Sequence, residues 1–491
     1  MHRFEWRWVG AVAAASAVLL TALSGRYGYH RDELYFLVAG AHPAAGYVDQ
    51  PPLTPLLARF SATVFGNSPT GLRVVATLAG VAAVLLVALV AREFGGGRVA
   101  QVVAAACTAT SAYVLVVSHM VSTASFDLVA WIAVCWALLR LLRSGDRRLW
   151  LAVGAFTGAA LENKDLVVLL VACIGVVLLA VGPRDVLRTW WLPAGVVLAL
   201  LVTAPNLVWQ AEHGWPQLTV ASGISAEDGT ENRIMFIPLQ LLYLSPAYVP
   251  LWIVGLASLW RNQALRWARA FGLAYPLLAA VVLVLGGKAY YTMPLLLVVL
   301  AAGVEPVVAW LRRGREHWQL RELWIALTAT AVVSTVVGLP VLPPDRLGAV
   351  LAVNREQGEQ VGWPRLVRTV SSVWQEVPPT KRETAVIFTA NYGEAGAIAR
   401  YGPVLGLPQP YSGHMSFAAW GPPPDGRTGP VVLVAEAGDR AITAAFTGCR
   451  VAAHNDNGVG IDNEEQGAVV RLCAAPRKPW SRLWPSLRHY Y

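Results

Sequence analysis

The sequence predicts a polytopic α-helical membrane protein of about 11 transmembrane helices, followed by a small C-terminal α/β domain outside the cytoplasm. Three observations predict it. Of 491 residues, 56% are apolar and only 14% charged, whereas a water-soluble chain carries about a quarter charged residues. The mean hydropathy is +0.49. Apolar runs such as Val74–Val90, Leu166–Val181 and Pro294–Val308 approach the roughly 20 residues a bilayer span requires. The same figures exclude water-soluble domains, disorder, a coiled coil and a small disulfide scaffold.

The spans lie near 8–24, 72–91, 99–117, 127–142, 149–161, 165–182, 189–205, 237–259, 270–286, 292–311 and 323–342. Backbone amides cannot stay unpaired in lipid, so these segments are expected to be helical. The segment 149–182 reads either as a re-entrant loop or as a tight helical pair around Glu162-Asn163-Lys164-Asp165. Lys and Arg in alternate connections set the orientation. One set, from Arg3 and Arg7 through Arg140, Arg143, Arg147 and Arg148 to Arg312, Arg313, Arg315 and Arg321, holds about 17. The other holds about 7, namely Arg26, Arg31, Arg59, Arg73, Lys164, Arg233 and Lys288. The richer set is expected in the cytoplasm, with the N-terminus. The net charge of +9 is then a topology signal, and no nucleic-acid partner is expected. The first segment has the pattern of a secretory leader and is read as an uncleaved span.

Residues 1–342 are therefore read as the membrane domain, with a first outer loop at 25–71, and 343–491 as the outer domain. Strand-like runs at Ala385–Thr389, Val431–Ala435 and Ala468–Leu472 and a helix at Glu394–Tyr401 give the latter its α/β character. Cys107, Cys135 and Cys173 fall inside spans and read as packing residues. Cys449 and Cys473 fall where oxidation is permitted and are expected to be bridged.

The polar residues of interest gather on the outer side. The first loop carries Asp32-Glu33 just past a membrane exit and Asp49 further on. The segments Glu33–Gly40 and Pro55–Phe65 read as amphipathic helices lying in the membrane surface. Asp127 opens the fourth span, Lys164 sits between the fifth and sixth, and Lys288 precedes Tyr290-Tyr291. An ionisable group near hydrocarbon is a functional candidate by default, although each lysine alone could simply snorkel to the surface. Trp209 and His213 could stack on a sugar, contact a lipid tail or belong to an interfacial aromatic belt. The histidines are too scattered to claim a metal site. No phosphate-binding glycine loop, GxSxG elbow or CxxC pair is present.

These residues resemble glycosyltransferase family 39, the dolichyl-phosphate-mannose–protein mannosyltransferases, which includes the aminoarabinose transferase of lipid A. The family lies in the C superfamily of membrane glycosyltransferases. The resemblance runs through Tyr27-Gly28-Tyr29-His30-Arg31-Asp32-Glu33-Leu34-Tyr35-Phe36 and Gly46-Tyr47-Val48-Asp49-Gln50-Pro51-Pro52-Leu53. It continues at Asp127, Glu162-Asn163-Lys164, Pro205–Gln210, His213–Pro216, Gly287–Tyr291, Asn391–Gly396 and Ser412–His414. It implies a polyprenyl-phospho-sugar donor, used outside the cytoplasm with inversion at the anomeric carbon. It places the catalytic base or acceptor-positioning carboxylate at Asp32, with Glu33 beside it, and a phosphate contact at Lys164. Many relatives have an acidic residue followed by Lys where this chain has Asp49-Gln50, so Lys288 or Arg59 is the substitute cation.

The residue types suit that chemistry. A carboxylate that takes the proton of an acceptor hydroxyl accelerates attack by about 10²–10⁴-fold. A phosphate leaving group needs positive charge rather than an acid, which a lysine supplies in a water-poor site. Asp49, Asp127, Lys164, Lys288, Tyr290, Trp209 and His213 are the candidate substrate-binding residues. A divalent cation is left open. The acceptor is read as a protein or a cell-envelope glycan at the plasma membrane, with Glu394 and His414 as further candidates for its site. The rival reading is a transporter or lipid-linked-sugar flippase, which would want charged or broken helices at the bilayer midplane in matching halves. A third is a non-catalytic assembly protein.

Overall fold

The computed structural model describes residues 2–313 and 318–490; Arg315 of the cationic set lies outside them. The helices are α1 (Trp6–Leu23), α2 (Arg31–Ala41), α3 (Leu53–Phe65), α4 (Pro69–Glu93), α5 (Arg98–Ala109), α6 (Ala112–His119), α7 (Thr123–Ser144) and α8 (Leu149–Leu161). They continue with α9 (Val167–Val181), α10 (Trp191–Glu212), α11 (Pro216–Glu227), α12 (Gly229–Leu244), α13 (Val249–Arg261), α14 (Arg269–Val284), α15 (Met293–Arg313) and α16 (Trp318–Gly338). The protein is a multi-pass membrane protein. Among the described residues 7 helices are long and apolar enough to cross a bilayer, or 9 if α5–α6 and α12–α13 each count as one bent span. The bends are 60° and 82°. Two of the eleven expected spans, α8 and α9, have only 13 and 15 residues, about 20 Å each at the α-helical rise. A short connection at 162–166 joins them, but they are not packed as a pair: α8 lies chiefly against α10 and α7, and α9 against α14.

Helix starts follow local chemistry. Ser68 caps α4 by accepting from Gly71 N, with Pro69 preset for the first turn. Ser122 and Ser125 cap α7 reciprocally, and Gly145 ends it at φ 72°. The close crossing of α13 and α15 needs glycine, because a Cβ on Gly255 or Gly303 would run into the facing backbone.

The sequence expectation for the first loop is half corrected. α3 presents Leu56, Phe60 and Val64 outward at i, i+4, i+8 while Pro55, Ala58 and Ser61 are buried, as a surface-lying helix requires. α2 does not lie on the surface. Its Leu34, Tyr35 and Phe36 are buried in one core with Trp363, Leu366, Val370 and Ile398 of the C-terminal region.

That region holds strands β1 (Val386–Thr389), β2 (Tyr411–Ser412), β3 (Val431–Ala435), β4 (Phe446–Thr447), β5 (Arg450–His454), β6 (Val469–Cys473) and β7 (Ala475–Pro476). The main sheet runs β2-β1-β3-β6-β5, parallel at β1–β2 and β1–β3 and antiparallel beyond. Its continuous apolar strands β1 and β3 are buried on both faces. Helices Trp363–Gln375 and Tyr392–Tyr401 cover one face, and Trp480–Leu487 covers the other. Cys449 and Cys473 are joined in a disulfide, and Cys107, Cys135 and Cys173 are free and buried.

Candidate functional site

The N-terminus of α2 sets the site. His30 caps it: Asp32 N donates to His30 Nδ1 at 3.2 Å, and His30 N donates to Glu33 Oε2 at 2.8 Å. With Nδ1 accepting, Nε2 is left to donate to Glu356 Oε2 at 2.9 Å. Burial opposes ionisation of Glu356, but the His30 hydrogen bond, with Arg31 and Lys288 nearby, pulls its carboxyl down to about 2.

The two adjacent acids then part company. Asp32 is 31% exposed and accepts from Tyr392 Oη at 2.7 Å, with Arg31 Nε 3.8 Å away. Glu33 is sealed, at 0% exposure. Arg73 Nε and Nη2 donate to its two oxygens at 2.9 and 2.7 Å, and Val121 N adds a third donor at 3.0 Å. Arg73 also reaches the carbonyls of Ser24 and Gly28. Glu33 was expected in the catalytic pair. Its four acceptor contacts and its lack of exposure set it apart from Asp32, and they tie α2 to α4 and the chain before α7.

Lys164 follows the tight turn between α8 and α9. Its Nζ lies 4.8 Å from the Tyr291 ring centre and 5.9 Å from that of Tyr290. Asp127 is buried and accepts from Asn163 Nδ2 at 2.7 Å, while Asn163 Oδ1 accepts from Thr54 Oγ1 at 2.6 Å. Asp127 thus anchors the turn that carries Lys164. Lys288 Nζ is 3.8 Å from Asp228 Oδ2. The turn holding Tyr290 and Tyr291 is braced by buried Gln240, which donates to Ala289 O and accepts from Tyr275 and Thr292. Arg59 is instead turned to the Gly40 carbonyl.

Asp49 accepts from Tyr35 Oη at 2.5 Å and Ser416 Oγ at 3.3 Å. Burial raises its carboxyl to about 6 against those two hydroxyls, with the Asp32 charge adding to the rise. Trp209 and His213 stand elsewhere, stacked on one another at 3.9 Å beside a separate cleft. Glu394 caps its own helix, accepting from Asn391 N, and burial pushes it to about 8. His414 packs at a tilt against Tyr392, ring centres 5.0 Å apart, and burial, with His489 and Arg31, lowers it to about 3.

One end of the bundle therefore gathers Asp32, His30, Glu356, Lys288, Tyr290, Tyr291, Lys164 and Asp127. The other end gathers Glu93 with Arg140 and Arg143, Glu5 with Arg98, and Glu305 on Gly97 N. The two sets of connections separated by charge in the sequence are also separate in space. Sequence reasoning did not single out Glu356, Tyr392, Asn163 as anchor, or Gln240. Tyr392 and Asn163 lay within quoted motifs; nothing in the sequence marked Glu356 or Gln240. Among the described residues no group of three or more His, Cys, Asp and Glu could hold a metal ion, and no step below uses one.

Bundle, surface helix and outer sheet define a membrane protein with the fold of the C superfamily of glycosyltransferases. The family model of dolichyl-phosphate-mannose-protein mannosyltransferases matches residues 49–209, about a third of the chain. The chain is similar to the crystal structure of ArnT from Cupriavidus metallidurans bound to undecaprenyl phosphate. The TM-score is 0.59 at 17% identity, covering 96% of this chain and 100% of that one. The same protein in the apo state gives 0.56 at 17%, covering 96% and 99%. No curated protein matches the chain.

Proposed function

We propose that this protein is an inverting glycosyltransferase that moves a sugar from a polyprenyl phosphate onto a hydroxyl acceptor outside the cytoplasm. The observation that carries the reading is the solvent-reachable carboxylate of Asp32, aimed by Tyr392, at the same end of a C-type fold as two lysines. The family match and the undecaprenyl phosphate held by the Cupriavidus ArnT support a lipid-linked donor. The N-terminus is cytoplasmic and the sheet-bearing region extracytoplasmic, following the excess of arginine at the opposite end.

In this reading Asp32 is the catalytic residue. Its Oδ2 takes the proton of the acceptor hydroxyl as that oxygen forms a bond to the anomeric carbon. The bond from that carbon to the phosphate oxygen breaks on the opposite face, and its electron pair leaves with the lipid phosphate. Tyr392, donating to Oδ1, keeps the carboxylate aimed. Lys164, in a tyrosine-walled niche, and Lys288 neutralise the phosphate as its charge grows. Asp127 positions Lys164 through Asn163, Asp49 and Glu356 position the first loop, and Glu33 is a positioning residue that keeps α2 in place. The donor tail runs between helices into lipid.

The test incubates purified protein in vesicles with a radiolabelled polyprenyl-phospho-sugar and cell-envelope extract. The expected result is label on a water-extractable or protein acceptor. Label that crosses the bilayer still attached to lipid would make the protein a flippase, and label that stays in place would make it non-catalytic.

A further inference from the structure

Trp209 and His213 are not at the lysines. They stand with Val48, Trp484, Arg488 and Tyr490 around an open cleft of about 300 Å³ between the end of α10, the loop before Asp49 and the C-terminal tail. The volume suits about one or two sugar rings. His213 is held over Trp209 by its position one turn on, with Nδ1 at 2.8 Å from Trp209 O. Arg488 and the Tyr490 hydroxyl are hydrogen-bonded to each other on the opposite wall.

Two routes join this cleft to Asp32. On one side Val48 N donates to Ser416 Oγ at 3.2 Å, Ser416 and Tyr35 both donate to Asp49, and the Tyr35 ring lies 5.1 Å from that of Tyr392. On the other, the tail pairs with residues 413–415 through His489 N to Gly413 O and Met415 N to His489 O. That pairing stacks His489 on His414 at 4.4 Å, and His414 in turn meets, at a tilt, the ring of Tyr392, the donor to Asp32. Both ring nitrogens of His414 are shielded from solvent without a hydrogen-bond partner. Polar atoms withheld from water in this way are costly unless a partner arrives.

We infer that this cleft is the acceptor subsite and that the acceptor is an oligosaccharide. Flat aromatic faces suit the CH faces of sugar rings, as they suit any flat ring they can stack on, while Arg488 supplies donors and His213 Nε2 an acceptor to hydroxyls. A peptide acceptor draws on backbone pairing with a sheet edge, and none of the cleft residues belongs to a strand. A glycan lying here directs its terminal hydroxyl past Tyr392 toward Asp32. The inference rests on the transfer reading and adds the acceptor class to it.

The test uses the full-length Asp32→Asn protein in lipid nanodiscs, so that binding is read without turnover. Mannotetraose, arabinotetraose and a Ser/Thr-rich peptide are titrated while tryptophan fluorescence and saturation-transfer NMR are followed. At least one oligosaccharide is expected to saturate at millimolar concentration. Adding Trp209→Ala or Tyr490→Ala is expected to weaken that binding by about tenfold or more, while adding Lys164→Ala leaves it within about twofold. Tyr490 is at the partly exposed end of the tail, so its variant keeps the test usable if Trp209→Ala fails to fold. Saturation by neither oligosaccharide, binding that survives both cleft substitutions, or preferential binding of the peptide each overturn the assignment. Oligosaccharide binding lost in the cleft variants, in a wild-type protein that moves no label, would strike the transfer reading and leave the cleft as an oligosaccharide-binding site that is not an acceptor subsite.

Discussion

The two faces of the first turn of α2 carry neighbouring carboxylates in opposite surroundings. On the inner face Glu33 has no exposure, a bidentate arginine and two backbone donors. On the outer face Asp32 is open and holds one tyrosine hydroxyl. The difference teaches that an acidic pair in a sequence is not a pair in function. A fully saturated buried carboxylate organises the fold, whereas a carboxylate with an unused lone pair and access to solvent can accept a proton.

The comparison predicts its own breaking points. Asp32→Asn is expected to lower sugar transfer by about 10²–10⁴-fold while leaving the thermal midpoint in detergent unchanged; near-normal turnover would remove Asp32 from the chemistry. Arg73→Leu acts on the other face. It leaves Glu33 as an uncompensated buried charge, at a cost of about 3–5 kcal/mol, and is read as loss of monodisperse protein on expression. A well-folded Arg73→Leu protein with normal stability would show that the inner pair does not hold α2. Cys449→Ser tests the wall on which Tyr392 rides. Opening the loop between residues 449 and 473 is expected to cost the outer region about 3 kcal/mol, seen as early protease cleavage after residue 343.

Lys164→Ala sharpens the division between donor and acceptor. It is expected to raise the donor KM by about tenfold to a hundredfold with little change in acceptor KM, measured by initial rates at varied concentration of each. The smallest effect concerns Asp49. Its carboxyl is raised from 3.8 to about 6, so folding favours the protonated form. That stabilisation is complete below about pH 4 and is lost as the pH rises through about 6. Asp49→Asn removes the titration. The wild type is therefore expected to fall by roughly 2–4 °C in Tm relative to the variant between pH 4 and pH 7, followed by scanning fluorimetry.

Hydropathy made the bundle legible because lipid-facing helices advertise themselves. α1 and α10 are buried over only 17% and 22% of their apolar windows, whereas α7 is buried over 78%, yet all three read alike as spans. Periodicity gave β1, β3 and β6 and the helix at Tyr392–Tyr401, and compartment logic gave the Cys449–Cys473 bridge. The surface position of α2 was misread because its partner, the helix pair at 363–401, lies more than 320 residues away. The same distance hid Glu356 and Tyr392. Their roles come from meeting His30 and Asp32 in space, and no local pattern announces that. Trp209 and His213 were legible as aromatics, but their separation from the lysines required coordinates.

The most direct measurement is a cryo-EM structure of the Asp32→Asn protein in nanodiscs with an intact polyprenyl-phospho-sugar. The account predicts the phosphate against Lys164 and Lys288, the anomeric carbon facing residue 32, and the tail leaving between helices. A donor phosphate lodged instead among Arg140, Arg143 and Arg98 at the opposite end of the bundle would contradict it.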